Sequence, residues 1–474
     1  MLTLIEKFYN VRTLYFGGTT LSLILLIFFS GSSSAISSYG AFFLICFTPF
    51  LLALNKGRLF YYSFFAIIFI QSIYGIPYWL SFTGYNFAKI FSLFDEFIII
   101  SGLVIYSIMI LMQRRVAILE IDKYLLLLTV FFIFSGLLSN YFSYTRISLG
   151  TFDIVKNLSL ILVFRFATID DTELNMAIGF FIRIMFFATI IAIVQEILTI
   201  SGIHQVLTDY KGWLYAATSF IGHTVFGLLS CLLFSILFFK PSKTSFEQKA
   251  FILSIIGIII SGSRMSYIFF ALFLLIHLIK SHKLDKKVFQ FLVFIFLILA
   301  MGFWKHFYYE IMLLIKSPVS LLRTHGFERG IAIFMDNPIL GMGPGTYGGM
   351  VSFLTNSPSY AIYNFSSHWF SYCKGFRSID NFFPQLIAEG GIIGTTIFFI
   401  FWFKVSHFLF SQKHDFSWLG NALGMSLLCI LPILFGSGLN LQIITFMLWS
   451  LIGMFIAYSC RHSFIKTSPD YQRK

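Results

Sequence analysis

Asn337-Pro338-Ile339-Leu340-Gly341-Met342-Gly343-Pro344-Gly345 lies within the one long segment of this chain, about Trp304 to Gly394, that does not look like bilayer-spanning sequence. Around that segment the chain is strongly apolar. Of 474 residues, 58% are hydrophobic and 11% charged, and the mean hydropathy is +0.86, against about 25% charged residues in an ordinary soluble domain. Repeated apolar runs long enough to cross a hydrocarbon core of ~30 Å specify helices, because barrel strands would alternate in short pieces. The expected fold is an all-α polytopic membrane protein of about 12–14 transmembrane helices with one long, partly helical extracytoplasmic loop.

Roughly fourteen apolar segments are centred near residues 22, 46, 70, 104, 130, 160, 188, 229, 255, 273, 295, 397, 427 and 450. The run containing 255 and 273 is broken by Ser261-Gly262-Ser263-Arg264. Of the 33 Lys and Arg residues, 21 fall on the N-terminal segment and the loops after even-numbered spans, and ten on the loops after odd-numbered spans. By the positive-inside rule this bias places both termini in the cytoplasm and the long loop outside. The expected organisation is a bundle of about eleven spans over 1–303, an extracytoplasmic loop over 304–380, about three spans over 381–460 and a cytoplasmic tail over 461–474. The apolar run after Arg12 reads as a retained first span, not a cleaved leader.

The net charge of +13 is accounted for by this topology, so no nucleic-acid partner is expected. Five cysteines are scattered without paired spacing, and His223, His325 and His368 lack the spacing of ligands, so no metal or cofactor is expected. Within the loop, Lys305 to Lys316 suits an interfacial helix and Phe327 to Asp336 a second short helix stopped by Asn337-Pro338. A Ser, Tyr and Asn-rich stretch with Trp369 and Tyr372 follows. A loop of this length is commonly functional or disordered, and its aromatic content argues against disorder.

Several residues could carry chemistry. Arg264 at a span end fits either an interfacial arginine snorkelling to head groups or, beside a tight Ser-Gly-Ser bend, a phosphate contact. Arg323 and Arg329 extend that cationic cluster from the loop, where solvated surface charge is the alternative. Gly343 and Gly345 permit either close approach of backbone to a ligand or a simple chain reversal; no Gly-Lys-Ser/Thr follows, so this is no nucleotide loop. Asp380 precedes a helix expected to begin near Phe382, with Pro384 in its first turn. It can therefore cap that helix, act as a general base, or do both. Glu389 lies in the outer part of the same helix, where an ionisable group is a functional candidate. Asp153 and Lys156 either line a cavity or pair across one helical turn.

Four signals occur here in a fixed order: Ser261-Gly262-Ser263-Arg264, Arg329 before the Asn337–Gly345 run, Asp380-Asn381, and Phe383-Pro384-Gln385 leading to Glu389-Gly390-Gly391. Together they resemble the O-antigen ligase and polymerase superfamily, and most nearly its Wzy-type polysaccharide polymerases. The resemblance covers roughly residues 255–400; the preceding spans agree only in hydropathy and count. Ligases typically carry His-Asn where this chain has Asp380-Asn381, which points to the polymerase branch.

The resemblance implies an inverting, metal-independent glycosyl transfer on the outer face of the bacterial inner membrane. An oligosaccharide on undecaprenyl pyrophosphate serves as both donor and acceptor, and there is room for a chain-length regulator as protein partner. It assigns Asp380 as base with Glu389 in reserve, Arg264, Arg329 and Arg323 to the pyrophosphate, Gly343, Gly345 and Asn381 to the substrate site, and Tyr347, Trp369 or Tyr372 as sugar platforms. The alternatives are an O-antigen ligase delivering glycan to a lipid A-core acceptor, or a flippase. A transporter would concentrate its ionisable groups near the bilayer midplane.

Overall fold

A computed structural model describes residues 99, 103, 119–164, 170–201, 210–211, 214–215, 223–281, 322–365, 382–434 and 442–467. The protein is an all-α membrane protein. The described helices are α1 (Glu120–Leu138), α2 (Tyr144–Val155), α3 (Leu160–Val163), α4 (Asp171–Ile200), α5 (His223–Phe239), α6 (Ser245–Ile260), α7 (Arg264–Ser281), α8 (Leu322–Asp336), α9 (Met350–Leu354), α10 (Ser359–Ile362), α11 (Phe382–Ser411), α12 (Ser417–Ile433) and α13 (Gln442–Thr467). The β structure among the described residues is a minimal antiparallel pair, Tyr210–Lys211 with Leu214–Tyr215.

Glu120–Leu138, Asp171–Val194 and Phe382–Ser411 are long and apolar enough to cross a membrane, and Thr224–Phe239, Met265–Ile279 and Ser417–Ile433 are shorter apolar helices. The spans expected near 22, 46, 70, 104 and 295, the interfacial segment 305–316, and Trp369 and Tyr372 lie outside the described residues.

Helix ends follow local chemistry. Thr244 and Glu247 form a reciprocal capping box that starts α6, satisfying amides that the first turn leaves free. The break expected at Ser261-Gly262-Ser263 separates α6 from α7, with Gly262 at φ 57°. Helix α8 begins at Leu322, earlier than the expected Phe327, and ends at Asp336 before Asn337-Pro338.

The segment near 160 differs from the single span expected there. Helix α2 stops at Val155, the chain tightens through residues 156–159, and α3 is only four residues long. Three-residue hydrogen bonds mark the tightening, Leu160 N–H to Asn157 O at 3.3 Å and Leu162 N–H to Ser159 O at 2.8 Å. Polar side chains cause the interruption. Ser159 Oγ donates to the Lys156 carbonyl at 2.6 Å, and Asn157 Nδ2 donates to Thr445 Oγ1 of α13 at 3.1 Å.

Lys156 Nζ pairs with Asp153 Oδ1 at 3.2 Å, their side chains being 3% and 12% exposed. Removing one partner of a buried pair leaves an uncompensated charge and costs ~3–5 kcal/mol. Lys156→Met is therefore expected to lower stability by about 3 kcal/mol, read as a downshifted thermal transition in detergent, and adding Asp153→Asn is expected to recover part of it. A melt unchanged by Lys156→Met would show that the pair carries no stability.

Helices α1 and α12 flank α11, α8 lies against α11, and α5 packs on α6, α7 and α12. The loop side has its own small core of Ile333, Met342, Tyr347, Phe353, Tyr360, Phe365 and Ala388. Phe353 and Tyr360 stack there with ring centroids 4.6 Å apart. These aromatic contacts give the segment after α8 a fixed shape despite its short helices.

Candidate active site

The site is built around an interruption in α11. Gly391 sits at φ 57°, ψ −159°, dividing the helix into an N-terminal piece ending near Gly390 and a longer piece beginning at Ile392. Such a break frees carbonyls on one side and amides on the other, and in a membrane these groups must find partners within the protein. The Asn337–Gly345 run supplies them. Met342 N–H donates to Ala388 O at 2.8 Å and Gly343 N–H to Glu389 O at 3.1 Å, while Ile392 N–H and Ile393 N–H donate to the carbonyls of Pro338 at 2.8 Å and Ile339 at 3.3 Å. The loop thus stands in for the missing helical turn.

This docking requires backbone against backbone. A Cβ at Gly341, itself at φ +70°, would lie 2.4 Å from both C and O of Glu389, and one at Gly391 would lie 2.5 Å from Ile339 O. Helix α1 clasps the same run: Ser135 Oγ donates to Leu340 O at 2.8 Å, and Ser139 Oγ donates to Met342 O. The expected site residues Gly343 and Gly345 also face protein. A Cβ at Gly343 would come within 3.1 Å of Gly136 Cα, and one at Gly345 within 2.8 Å of Arg146 O. Both glycines thus pack closely against neighbouring backbone.

Glu389 is wholly buried. Its Oε1 accepts the Tyr347 N–H at 2.8 Å and its Oε2 faces Gln385 Nε2 at 3.4 Å. The Asp153 carboxylate and the Gln385 amide both border Gly349, so α2, the loop and the N-terminal piece of α11 meet at one polar cluster.

Tyr347 departs from the sugar platform expected of it. Its ring is 1% exposed and its hydroxyl donates to Gly326 O of α8 at 2.6 Å, making it a core strut between loop and helix. Tyr360 Oη accepts the Gly348 N–H at 3.0 Å and pairs with Ser352 Oγ at 2.7 Å; burial raises its pKa well above the usual phenol value.

Helix α8 carries the cationic side of the site. Gly330 abuts Pro384 in the first turn of α11, where a Cβ would lie 2.8 Å from Pro384 Cβ. The adjacent Arg329 is half-buried, and its buried Nε has no hydrogen-bond partner among the described residues. An unpaired guanidinium N–H is a donor available to an anionic ligand. One turn earlier, burial first and the Arg329 charge second hold His325 below the ordinary imidazole pKa.

Arg264 is the first residue of α7 and Arg323 the second of α8. Their side chains, the side chain of His223, and the whole of Asp380, Asn381 and His368 lie outside the described residues. Among the described residues no group of three His, Cys, Asp or Glu is placed to hold a metal ion.

Sequence reasoning missed Gln385, Ser135 and Ser139. Ser135 lies in the last turn of α1 and Ser139 is its C-cap, so both hydroxyls sit at one helix end.

The described part of the site is therefore an interrupted membrane helix completed by a glycine-bearing loop, with Arg329 Nε lacking a hydrogen-bond partner among the described residues. Residues 250–399 match the family model Wzy_C, described as O-Antigen ligase. That match, running from α6 into α11 and including Arg264, Arg323, Arg329, Asp380 and Glu389, makes this part of the chain similar to the O-antigen ligase/polymerase superfamily, whose members are membrane glycosyltransferase-like enzymes. Among curated proteins, none matches the chain.

Proposed function

We propose that this protein polymerises lipid-linked oligosaccharide repeat units into O-antigen or a related surface polysaccharide at the outer face of the bacterial inner membrane. The observation that carries the reading is Asp380-Asn381 within the matched segment, which the resemblance sets against the His-Asn typical of ligases. In the proposed step, a hydroxyl oxygen of the acceptor repeat unit attacks the anomeric carbon of the glycan on undecaprenyl pyrophosphate, with inversion. The carbon–oxygen bond to the pyrophosphate breaks and its electron pair leaves with the lipid pyrophosphate. Asp380 takes the hydroxyl proton, and Arg329, with Arg264 and Arg323, stabilises the charge developing on the leaving group. Asn381 lies beside the base in sequence and is assigned to the substrate.

The cellular phenotype separates this reading from its rivals. In cells lacking the chain, a surface glycan of single repeat units is expected. Loss of all surface glycan, single units included, would overturn the proposal in favour of ligation or flipping.

The arginine assignment is tested separately. Arg329→Ala is expected to slow elongation by ~10²–10³-fold, the scale of losing one transition-state donor. Arg329→Lys is expected to restore only part, because an ammonium cannot reproduce the planar fork. Elongation by Arg329→Ala at the wild-type rate would remove Arg329 from the site.

A further inference from the structure

We infer that Glu389 is a positioning residue that fixes the loop relative to the base-bearing helix, and not a proton acceptor; this rests on the glycosyl-transfer reading above. A base must reach the acceptor hydroxyl. The Glu389 side chain is fully buried, and both of its oxygens face donors of the protein, the Tyr347 N–H at 2.8 Å and Gln385 Nε2 at 3.4 Å.

The two donors belong to the two arms of the site. Tyr347 follows the glycine run by two residues and reaches α8 through its hydroxyl bond to Gly326, while Gln385 lies in the first turn of α11 as described, four residues after Asn381. The Glu389 main chain joins the same junction, its carbonyl accepting the Gly343 N–H at 3.1 Å. One residue therefore holds the loop from both its backbone and its side chain. A carboxylate suits this place because it accepts from two donors at once. An amide can do so with one small change: its oxygen still accepts the Tyr347 N–H, and a turn of the Gln385 amide presents an oxygen to the new N–H group. A methyl group can do neither.

The test uses the full-length chain in lipid nanodiscs, with the lipid-linked repeat unit that accumulates in cells lacking it as substrate. Glu389→Gln is expected to elongate within ~3-fold of wild type and to keep the wild-type pH profile, as the retained hydrogen bonds require. Glu389→Ala is expected to lose ~10–100-fold in turnover, the effect of small misplacement of reacting groups, with faster backbone amide exchange over residues 343–349. Gln385→Ala is expected to weaken turnover in the same direction by less, and it decides the matter with Glu389→Gln if Glu389→Ala does not fold.

Glu389→Gln as inactive as Glu389→Ala, or one that displaces the acid limb of the pH profile, would make Glu389 a base and overturn the inference. So would wild-type turnover in Glu389→Ala. Asp380→Asn in the same assay reports on the underlying reading: activity there removes the proposed base without altering what the Glu389 variants show about the loop.

Discussion

Replacing Asp380 by asparagine is expected to stop chain elongation while leaving the protein folded in the membrane. A positioned general base contributes ~10²–10⁴-fold, and an amide of nearly the same size cannot accept the hydroxyl proton. The substitution is a clean probe because the two side chains are nearly the same size, and α11 is described from Phe382 onward. Should the side chain at 380 contribute to capping, asparagine caps about as well as aspartate. The first described turn of α11 is held independently of residue 380, since the Phe383 N–H donates to Leu434 O at 3.3 Å at the end of α12 and Pro384 has no N–H to satisfy. Expression and thermal transition should therefore match wild type. Glycan ladders from cells carrying the variant should collapse to single repeat units, and turnover on purified lipid-linked repeat units should fall by the stated factor. Long chains made by Asp380→Asn at normal protein levels would show that another group takes the proton.

The parts of this architecture that depend on neighbours in sequence were legible before any coordinates. Ser261-Gly262-Ser263 interrupts the helices, Asn337-Pro338 ends α8, and Asp153 pairs with Lys156 one turn away. Each rests on turn, cap or spacing rules that act over a few residues. What escaped depends on distant partners. The break at Gly391 is hidden within a run whose hydropathy is continuous, and the groups that satisfy it come from Pro338 to Gly343. Glycine density alone could not distinguish docking onto a helix from docking onto a ligand, because both need the same absence of a Cβ. Tyr347 misled for a related reason: an aromatic in a polar loop looks available, and only the Gly326 carbonyl and the small loop core show it to be inside. The segment near 160 looked like one span because hydropathy averages over Lys156, Asn157 and Ser159, which stop the helix locally.

Adding a single methyl group at Gly391 is expected to undo the loop docking and with it both stability and activity. The φ 57°, ψ −159° conformation there lies close to a region used almost only by glycine and costs another residue ~1–3 kcal/mol. The new Cβ would also sit 2.5 Å from Ile339 O and 2.6 Å from Gly341 N, backbone atoms that cannot move without breaking the bonds to Ile392 and Ile393. Gly391→Ala should therefore lose about 3 kcal/mol or more, seen as a lower thermal transition, and elongate no better than Asp380→Asn. Gly179→Ala in α4 is the matched control, since nothing lies within 4 Å of the added methyl and replacing a helical glycine by alanine is worth about 0.5–1 kcal/mol of added stability. A Gly391→Ala protein that melts and elongates like wild type would refute the interrupted-helix geometry. The reciprocal change, Gly341→Ala, meets the other side of the same contact at 2.4 Å from the Glu389 carbonyl. Because either methyl suffices to expel the loop, the double variant should be scarcely worse than either single one. Additive losses would mean that the two glycines serve separate structures.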